Sequence, residues 1–288
     1  MDAGVAVPSP RCPGCAHPAV PSSRYCERCG RRLDGRPKPA SRWLASTPGD
    51  GRCALDLAAV AGVTDRGYYR RRNEDVLAIG RVDGVSAAVV CDGVSTSERP
   101  EEAATAAASA GITTLLRLLG DGAPPATATR DAALAAGAAA AGAGSRTEEN
   151  PPCCTYVSAI ATTGSVVVGW IGDSPAYWAE TGGARRLTVD DADPRTRALN
   201  QWLGADARRV APHVKTFVPA NPGQVLVCSD GLSRYLDRDG HGSGGAPAEA
   251  ARGLLEYALD AGGHDNITVA VLAFPPPRGS DALGGVTP

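Results

Sequence analysis

Residues 70–93 read RRRNEDVLAIGRVDGVSAAVVCDG, and this stretch decides the architecture. Val76 to Arg81 and Val85 to Cys91 are short β-branched or apolar runs that end in turn residues, the signature of successive buried strands. Upstream, Leu55 to Val63 reads as one more strand of this opening set. Downstream, Glu98 to Leu119 starts with acids and continues with apolar residues on a helical period, and Thr129 to Gly144 is an Ala-rich helix separated from it by Pro124 and Pro125. Tyr156 to Thr162, Ser165 to Ile171, Ala176 to Glu180 and Arg185 to Val189 then follow as strands joined by Gly-containing turns such as Thr163-Gly164. The remaining pattern predicts a helix over Asp193 to Leu203, strands over Val214 to Val218 and Gln224 to Cys228, a helix over Pro247 to Ala261, and a last strand over Asn266 to Phe274. Strands and helices come in blocks, which places the chain in the α+β class rather than in an alternating βαβ fold.

The 288 residues allow one large domain or two smaller ones. Hydrophobic residues at 43% suffice for a core, although 35 Gly and 23 Pro point to loose ends. A formal charge of −2 gives no global attraction to nucleic acid or anionic lipid. The run from Ala132 to Gly144 is too short for a membrane span, and the N-terminus lacks a signal-peptide pattern, so a cytoplasmic location without membrane attachment is expected. Four of the nine cysteines form two CxxC pairs, Cys12-Cys15 and Cys26-Cys29, whose thiolates suit one tetrahedral structural Zn2+. Residues 1–33 are therefore expected to form a zinc ribbon that binds protein rather than nucleic acid, residues 34–52 a flexible linker, residues 53–275 the main domain and residues 276–288 a disordered tail.

Acids recur at the strand ends of the main domain: Glu74-Asp75, Cys91-Asp92-Gly93, Gly172-Asp173-Ser174, Ser229-Asp230-Gly231 and His264-Asp265-Asn266. Each alone is an ordinary turn or cap. In this order and spacing, over Leu55 to Phe274, they resemble the metal-dependent protein phosphatase 2C (PPM) family of bacterial type. That resemblance implies a layered β-sandwich flanked by helices with two Mn2+ or Mg2+ ions at one end of its sheets. It further implies that Asp92 bridges both ions, that the Gly93 carbonyl and Glu74 serve one of them, and that Asp75, Asp230 and Asp265 serve the other. Asp173 would join Asp230 at a weaker third ion, and Arg70 would hold the substrate phosphate.

The chemistry agrees with the resemblance. Carboxylates gathered in one cleft repel one another and stay ionised around multivalent cations, and an oxygen-only ligand set favours Mn2+ or Mg2+ over Zn2+. Two such ions activate a bridging water for in-line attack at phosphorus, and an Arg fork holds phosphate oxygens in a way that Lys cannot. The sequence departs from the family at Val94-Ser95-Thr96, where a flexible glycine pair is usual, and at Pro175, where an Arg is usual. Asp190-Asp191 also runs almost directly into Asp193-Pro194-Arg195, so the flap of the bacterial members is missing and the cleft is expected to be open. The expected function is a serine/threonine phosphoprotein phosphatase acting on phosphorylated proteins, a cognate kinase or its target among them. The alternative is a catalytically weak binding or scaffolding relative.

Overall fold

A computed structural model describes residues 11, 12, 15–18, 26, 28, 33, 41–49, 51–180, 183–239, 244–275 and 286–287. In chain order the strands and helices are β1 (Arg42–Ala45), β2 (Cys53–Asp56), β3 (Val60–Asp65), β4 (Val76–Val82), β5 (Val85–Cys91), α1 (Pro100–Gly120), α2 (Pro125–Gly142), β6 (Cys153–Cys154), β7 (Tyr156–Ala161), β8 (Val166–Ile171), β9 (Ala176–Glu180), β10 (Gly183–Arg186), β11 (Leu203–Gly204), β12 (His213–Phe217), β13 (Gly223–Cys228), α3 (Asp230–Asp239), α4 (Pro247–Asp260), β14 (Ile267–Phe274) and β15 (Val286–Thr287). A six-stranded sheet runs β1-β4-β5-β7-β8-β12, and a seven-stranded sheet runs β10-β9-β13-β14-β3-β2-β15. All pairings in both sheets are antiparallel.

Side-chain parity builds the layers. In β4, Leu77 and Ile79 point into the core between the sheets, while Val76 and Ala78 point into the core beneath the helices α1 and α2. In β14, Ala270 and Leu272 enter the inter-sheet core, while Ile267, Val269 and Val271 pack with residues of α3 and α4. Both faces of each sheet are thus covered, which is why these strands read as continuous apolar runs instead of alternating ones. The result is the expected sandwich between two helical layers. Helix α1 is long and apolar enough to cross a membrane, yet its apolar face is the packed core against the sheet. Alanines 103, 104, 107 and 108 of α1 and 128, 132, 133 and 136 of α2 let the two helices approach closely.

Several expectations are corrected. The strand predicted over Leu55 to Val63 is two strands, β2 and β3, because Ala58 adopts a left-handed conformation (φ 63°) and turns the chain. The helix predicted over Asp193 to Leu203 is a loop ending in β11: the Asp193 carboxylate accepts the Arg195 and Thr196 N–H groups at 2.9 and 2.8 Å, Arg197 is left-handed (φ 61°), and Ala192 bridges to Leu199. The linker expected over 34–52 contains strand β1 on the edge of the six-stranded sheet, Ser46 paired with Leu77, and Gly49 bridged to Asn73, so the main domain begins by residue 42 rather than 53. Within the expected tail, Val286–Thr287 pairs with β2, while residues 276–285 and 288 lie outside the described residues. Helix α3 carries no sequence-derived expectation of its own.

Candidate functional site

Antiparallel register gathers the acids. Val76, where β4 starts, pairs with Cys91, where β5 ends, so Asp75 and Asp92 flank one edge of the six-stranded sheet. Tyr156 pairs with Ile171, which brings the loop holding Asp173 to the same edge. In the other sheet Cys228 pairs with Val269 and Val227 with Ala176, so Asp230 and Asp265 lie at the matching edge. The five aspartates therefore face one another across the end of the sandwich.

Amide and hydroxyl side chains hold this end rigid. The Asn266 carbonyl oxygen accepts the Glu74 N–H at 2.8 Å, and its amide donates to the Arg66 and Arg72 carbonyls at 2.9 and 2.8 Å. Asn73 donates to Thr64 at 2.7 Å, and Thr64 contacts Thr268 at 2.6 Å. The Thr155 hydroxyl accepts the Asp92 N–H at 3.2 Å and meets Ser174 at 2.6 Å. Two glycines are fixed by space: a β-carbon at Gly93 would stand 2.8 Å from the Glu74 carbonyl oxygen, and one at Gly231 would collide with the Asn266 carbonyl.

The electrostatics are those of crowded, buried carboxylates that favour cations. Asp92 is pushed well above the usual carboxylate range by burial and then by Asp75, Asp230, Asp173 and Asp265. Burial raises Asp75 to about 7, with Asp265 and Asp230 adding to the effect. Burial and Asp230 raise Asp173 to about 6. Asp230 is raised by burial, against the opposing charge of Arg234. Both carboxylate oxygens of Asp75 are buried without a hydrogen bond of ordinary geometry; the nearby Ser229 and Thr268 hydroxyls only temper its charge. A buried carboxylate so placed is costly unless a cation or a proton completes it. The donor set, oxygen throughout and spread over both sheets, fits hard divalent cations.

Three arginines stand among the acids. Arg70 grips Asp265 with Nε to Oδ1 at 2.6 Å and Nη2 to Oδ2 at 2.8 Å, and its Nη1 donates to Ser95 at 3.1 Å. Ser95 in turn donates to Glu74 at 2.7 Å, which gives that departure from the family pattern a definite contact. Arg234 reaches Asp230 at 3.2 Å and Asp265 at 3.0 Å, and Arg197 reaches Asp173 at 3.5 Å and Asp190 at 3.2 Å. Sequence reasoning missed Arg234 and Arg197. A signal existed for the first, since Arg234 follows Asp230 by one helical turn; none existed for the second, which arrives from a loop. Among the described residues, the group whose ligand atoms all lie within 4.8 Å of one another is Cys12, Cys15 and Cys26. The fourth expected zinc ligand, Cys29, lies outside the described residues.

The family model described as Protein phosphatase 2C matches residues 69–253. The chain belongs to the protein phosphatase 2C family, and its main domain is a metal-dependent protein phosphatase domain. Its fold is similar to that of the PPM Ser-Thr phosphatase MsPP from Mycobacterium smegmatis in complex with cacodylate, at TM-score 0.57 and 24% identity over 75% of this chain and 98% of that one. It is also similar to the serine/threonine phosphatase Stp1 from Staphylococcus aureus, at TM-score 0.62 and 20% identity over 76% and 95% of the two chains. The catalytic domain of the serine threonine protein phosphatase PstP in complex with two manganese ions aligns at TM-score 0.57 and 24% identity over 77% and 98%. At these identities the likeness speaks for the fold alone. No curated protein matches the chain.

Proposed function

We propose that this chain hydrolyses phosphoserine and phosphothreonine in proteins with Mn2+ or Mg2+ at the aspartate cluster. The observation that carries the reading is Asp75, a buried carboxylate whose oxygens lack a hydrogen bond of ordinary geometry, facing Asp92, Asp230 and Asp265 at one end of two sheets. Asp92 would serve two cations, with the Gly93 carbonyl and Glu74 on one and Asp75, Asp230 and Asp265 on the other; Asp173 would share a weaker third with Asp230. When bound, such ions acidify water and neutralise charge on a phosphate. The rest falls to the chain's own residues. Arg70 presents a planar fork to the phosphate oxygens, Ser95 steers that fork, and Asn73 and Asn266 fix the backbone that carries Glu74 and Asp75. A phosphoprotein is the expected partner, whether a kinase or a target of one. The Cys12, Cys15 and Cys26 sulfurs support a structural Zn2+ with Cys29 as the fourth ligand, in a module that recruits protein.

The test is phosphate release from phosphothreonine peptides with added Mn2+, its loss in EDTA and its loss in Asp92→Asn. One observation favours the alternative, a weak phosphatase that mainly binds: Asp265 is engaged by Arg70 and Arg234 at once, so a cation must displace both. Phosphopeptide binding without Mn2+-dependent turnover would establish that second reading.

A further inference from the structure

Beside the aspartate cluster lies a cavity of about 500 Å3 that none of the roles above uses. Val94, Pro151, Ala198, Leu199 and Trp202 give it an apolar lining, and Arg197 stands in its wall. The cavity and the cluster share their walls. Val94 is two residues beyond Asp92 and is pinned by its N–H to the Cys153 carbonyl at 3.0 Å, while the same Arg197 pairs with Asp173. The loop forming the other side is tied to the Asp173 loop through Asp191: its carboxylate accepts the Gly172 N–H at 3.1 Å, and its carbonyl accepts the Asn200 N–H at 2.7 Å. Trp202 is held by its indole N–H on Asp206 at 2.8 Å. These contacts preform the walls, so an occupant meets little ordering cost.

We propose that this cavity is a specificity pocket for the phosphoprotein substrate and takes a large apolar or aromatic side chain one to three residues from the phosphorylated Ser or Thr. The proposal rests on the phosphatase reading above and adds to it the chemistry of the flanking sequence. Arg70 donates to Ser95, whose chain neighbours Val94 and Thr96 line the cavity, and an extended chain advances about 3.3–3.6 Å per residue, so a peptide whose phosphate meets Arg70 brings its next side chains over this wall. The lining of Leu199, Val94 and Trp202 rewards apolar surface. Where a flap was expected to be missing and the cleft merely open, the loop over residues 192–206 shapes one side of it.

The test uses the full chain with Mn2+ and phosphothreonine peptides in which Phe, Leu, Lys and Glu are placed in turn at three positions on either side, each kcat/KM normalised to turnover of p-nitrophenyl phosphate. The expected result is a preference for Phe or Leu of about tenfold or more at one flanking position, the scale that an apolar pocket supplies. Ala198 is exposed, so Ala198→Phe fills the cavity without burdening the core, and that preference is expected to vanish in it. A flat panel from active enzyme overturns the pocket while leaving the phosphatase reading standing, as does a preference that survives Ala198→Phe. A flat panel with self-association that Ala198→Phe abolishes assigns the cavity to a second copy and likewise overturns the proposal. Absence of Mn2+-dependent release from every peptide removes the phosphatase reading and the pocket together.

Discussion

Arg70 and Asp265 form a two-pronged ion pair, with Nε to Oδ1 at 2.6 Å and Nη2 to Oδ2 at 2.8 Å. Both oxygens of an expected cation ligand are thereby committed to the residue expected to hold the phosphate. A cation held by Asp265 would have to displace this guanidinium, so metal occupancy and readiness for phosphate would be coupled through one side chain. Arg70→Ala should then have effects of opposite sign. Mn2+ affinity measured by calorimetry should rise, because a competing cation is gone, while KM for a phosphothreonine peptide should rise about tenfold, or roughly 1.4 kcal/mol. Weaker Mn2+ binding in this variant would show that Arg70 supports the metal site instead of competing with it.

Arg234 sets up a related contest, since it spans Asp230 and Asp265 from one helical turn past Asp230 in α3. Arg234→Gln should tighten Mn2+ binding several-fold and leave KM for the peptide almost unchanged. Calorimetry alongside steady-state kinetics separates this variant from Arg70→Ala; equal effects of the two on KM would merge their roles.

Asp92→Asn should lower kcat/KM by about a hundredfold or more, about 2.7 kcal/mol of transition-state stabilisation, and Asp230→Asn should do the same. In EDTA, however, Asp92→Asn should melt at a higher temperature than the parent. Burial and four neighbouring aspartates disfavour the Asp92 carboxylate, and an amide of the same shape carries no charge to desolvate. Unaltered turnover would place the chemistry elsewhere, and a lower melting temperature in EDTA would refute the account of the trapped charge.

Strand placement was legible because both faces of each sheet are buried, so the apolar runs from Val76 and Val85 stand out from the turns around them. The aspartates, each an ordinary turn or cap residue when taken alone, stood out only through their order and spacing, which resemble the protein phosphatase 2C family, and the antiparallel register brings them to one end of the sandwich. What escaped depended on tertiary contact. The segment from Asp193 to Leu203 has a helical composition, but Asp193 closes a turn on its own backbone and Arg197 takes a left-handed conformation, so local capping overrides propensity. Strand β1 was hidden by its four-residue length among Pro, Ser and Arg, and its identity comes from pairing with β4. Helix α3 does carry Leu232, Tyr235 and Leu236 on one face, a usable period obscured by the Asp-Gly that opens it. Arg197 reaches Asp173 and Asp190 from a loop, and long side chains crossing between loops leave no trace in spacing. The cavity draws its walls from three separate stretches, around residues 94–97, 150–153 and 196–206, so no single motif announces it.

The metal-free chain should lose stability as pH rises from about 4 to 7.5. Asp75 titrates near 7 and Asp173 near 6 in the folded chain, against about 4 for an unfolded aspartate, so between these values the native state binds more protons than the unfolded state. Stability therefore falls with increasing pH through that window, by a few kcal/mol if Asp75 alone is considered, and Asp92, raised well above the ordinary carboxylate range, carries the fall to higher pH. Saturating Mn2+ should reverse the slope, because the ions need the deprotonated carboxylates. Thermal melts at a series of pH values in EDTA and in Mn2+ provide the check, and a pH-independent melting temperature in EDTA would contradict it.

The N-terminal boundary yields the last expectation, because two truncations differing by a few residues should behave differently. Removing residues 1–40 takes away Cys12, Cys15, Cys26 and Cys29 and should abolish about one bound Zn2+ per chain while leaving p-nitrophenyl phosphate turnover and the melting temperature of the main domain close to those of the parent. Removing residues 1–45 also strips β1, whose residues 42–45 pair in register with 78–81 of β4. Leu44 of that strand packs against the inter-sheet core and Ala45 against the core beneath α1 and α2. Loss of this edge exposes apolar surface on β4 and removes its outer hydrogen bonds, a cost of about 2 kcal/mol from burial alone. For a domain of this size that corresponds to a fall of roughly 4–8 °C in melting temperature. The strand beneath it leads directly from Glu74 and Asp75, so Mn2+ affinity should weaken in the longer truncation and not in the shorter one. Equal melting temperatures and equal Mn2+ affinities for the two truncations would mean that β1 contributes nothing to the sheet or to the geometry of the site.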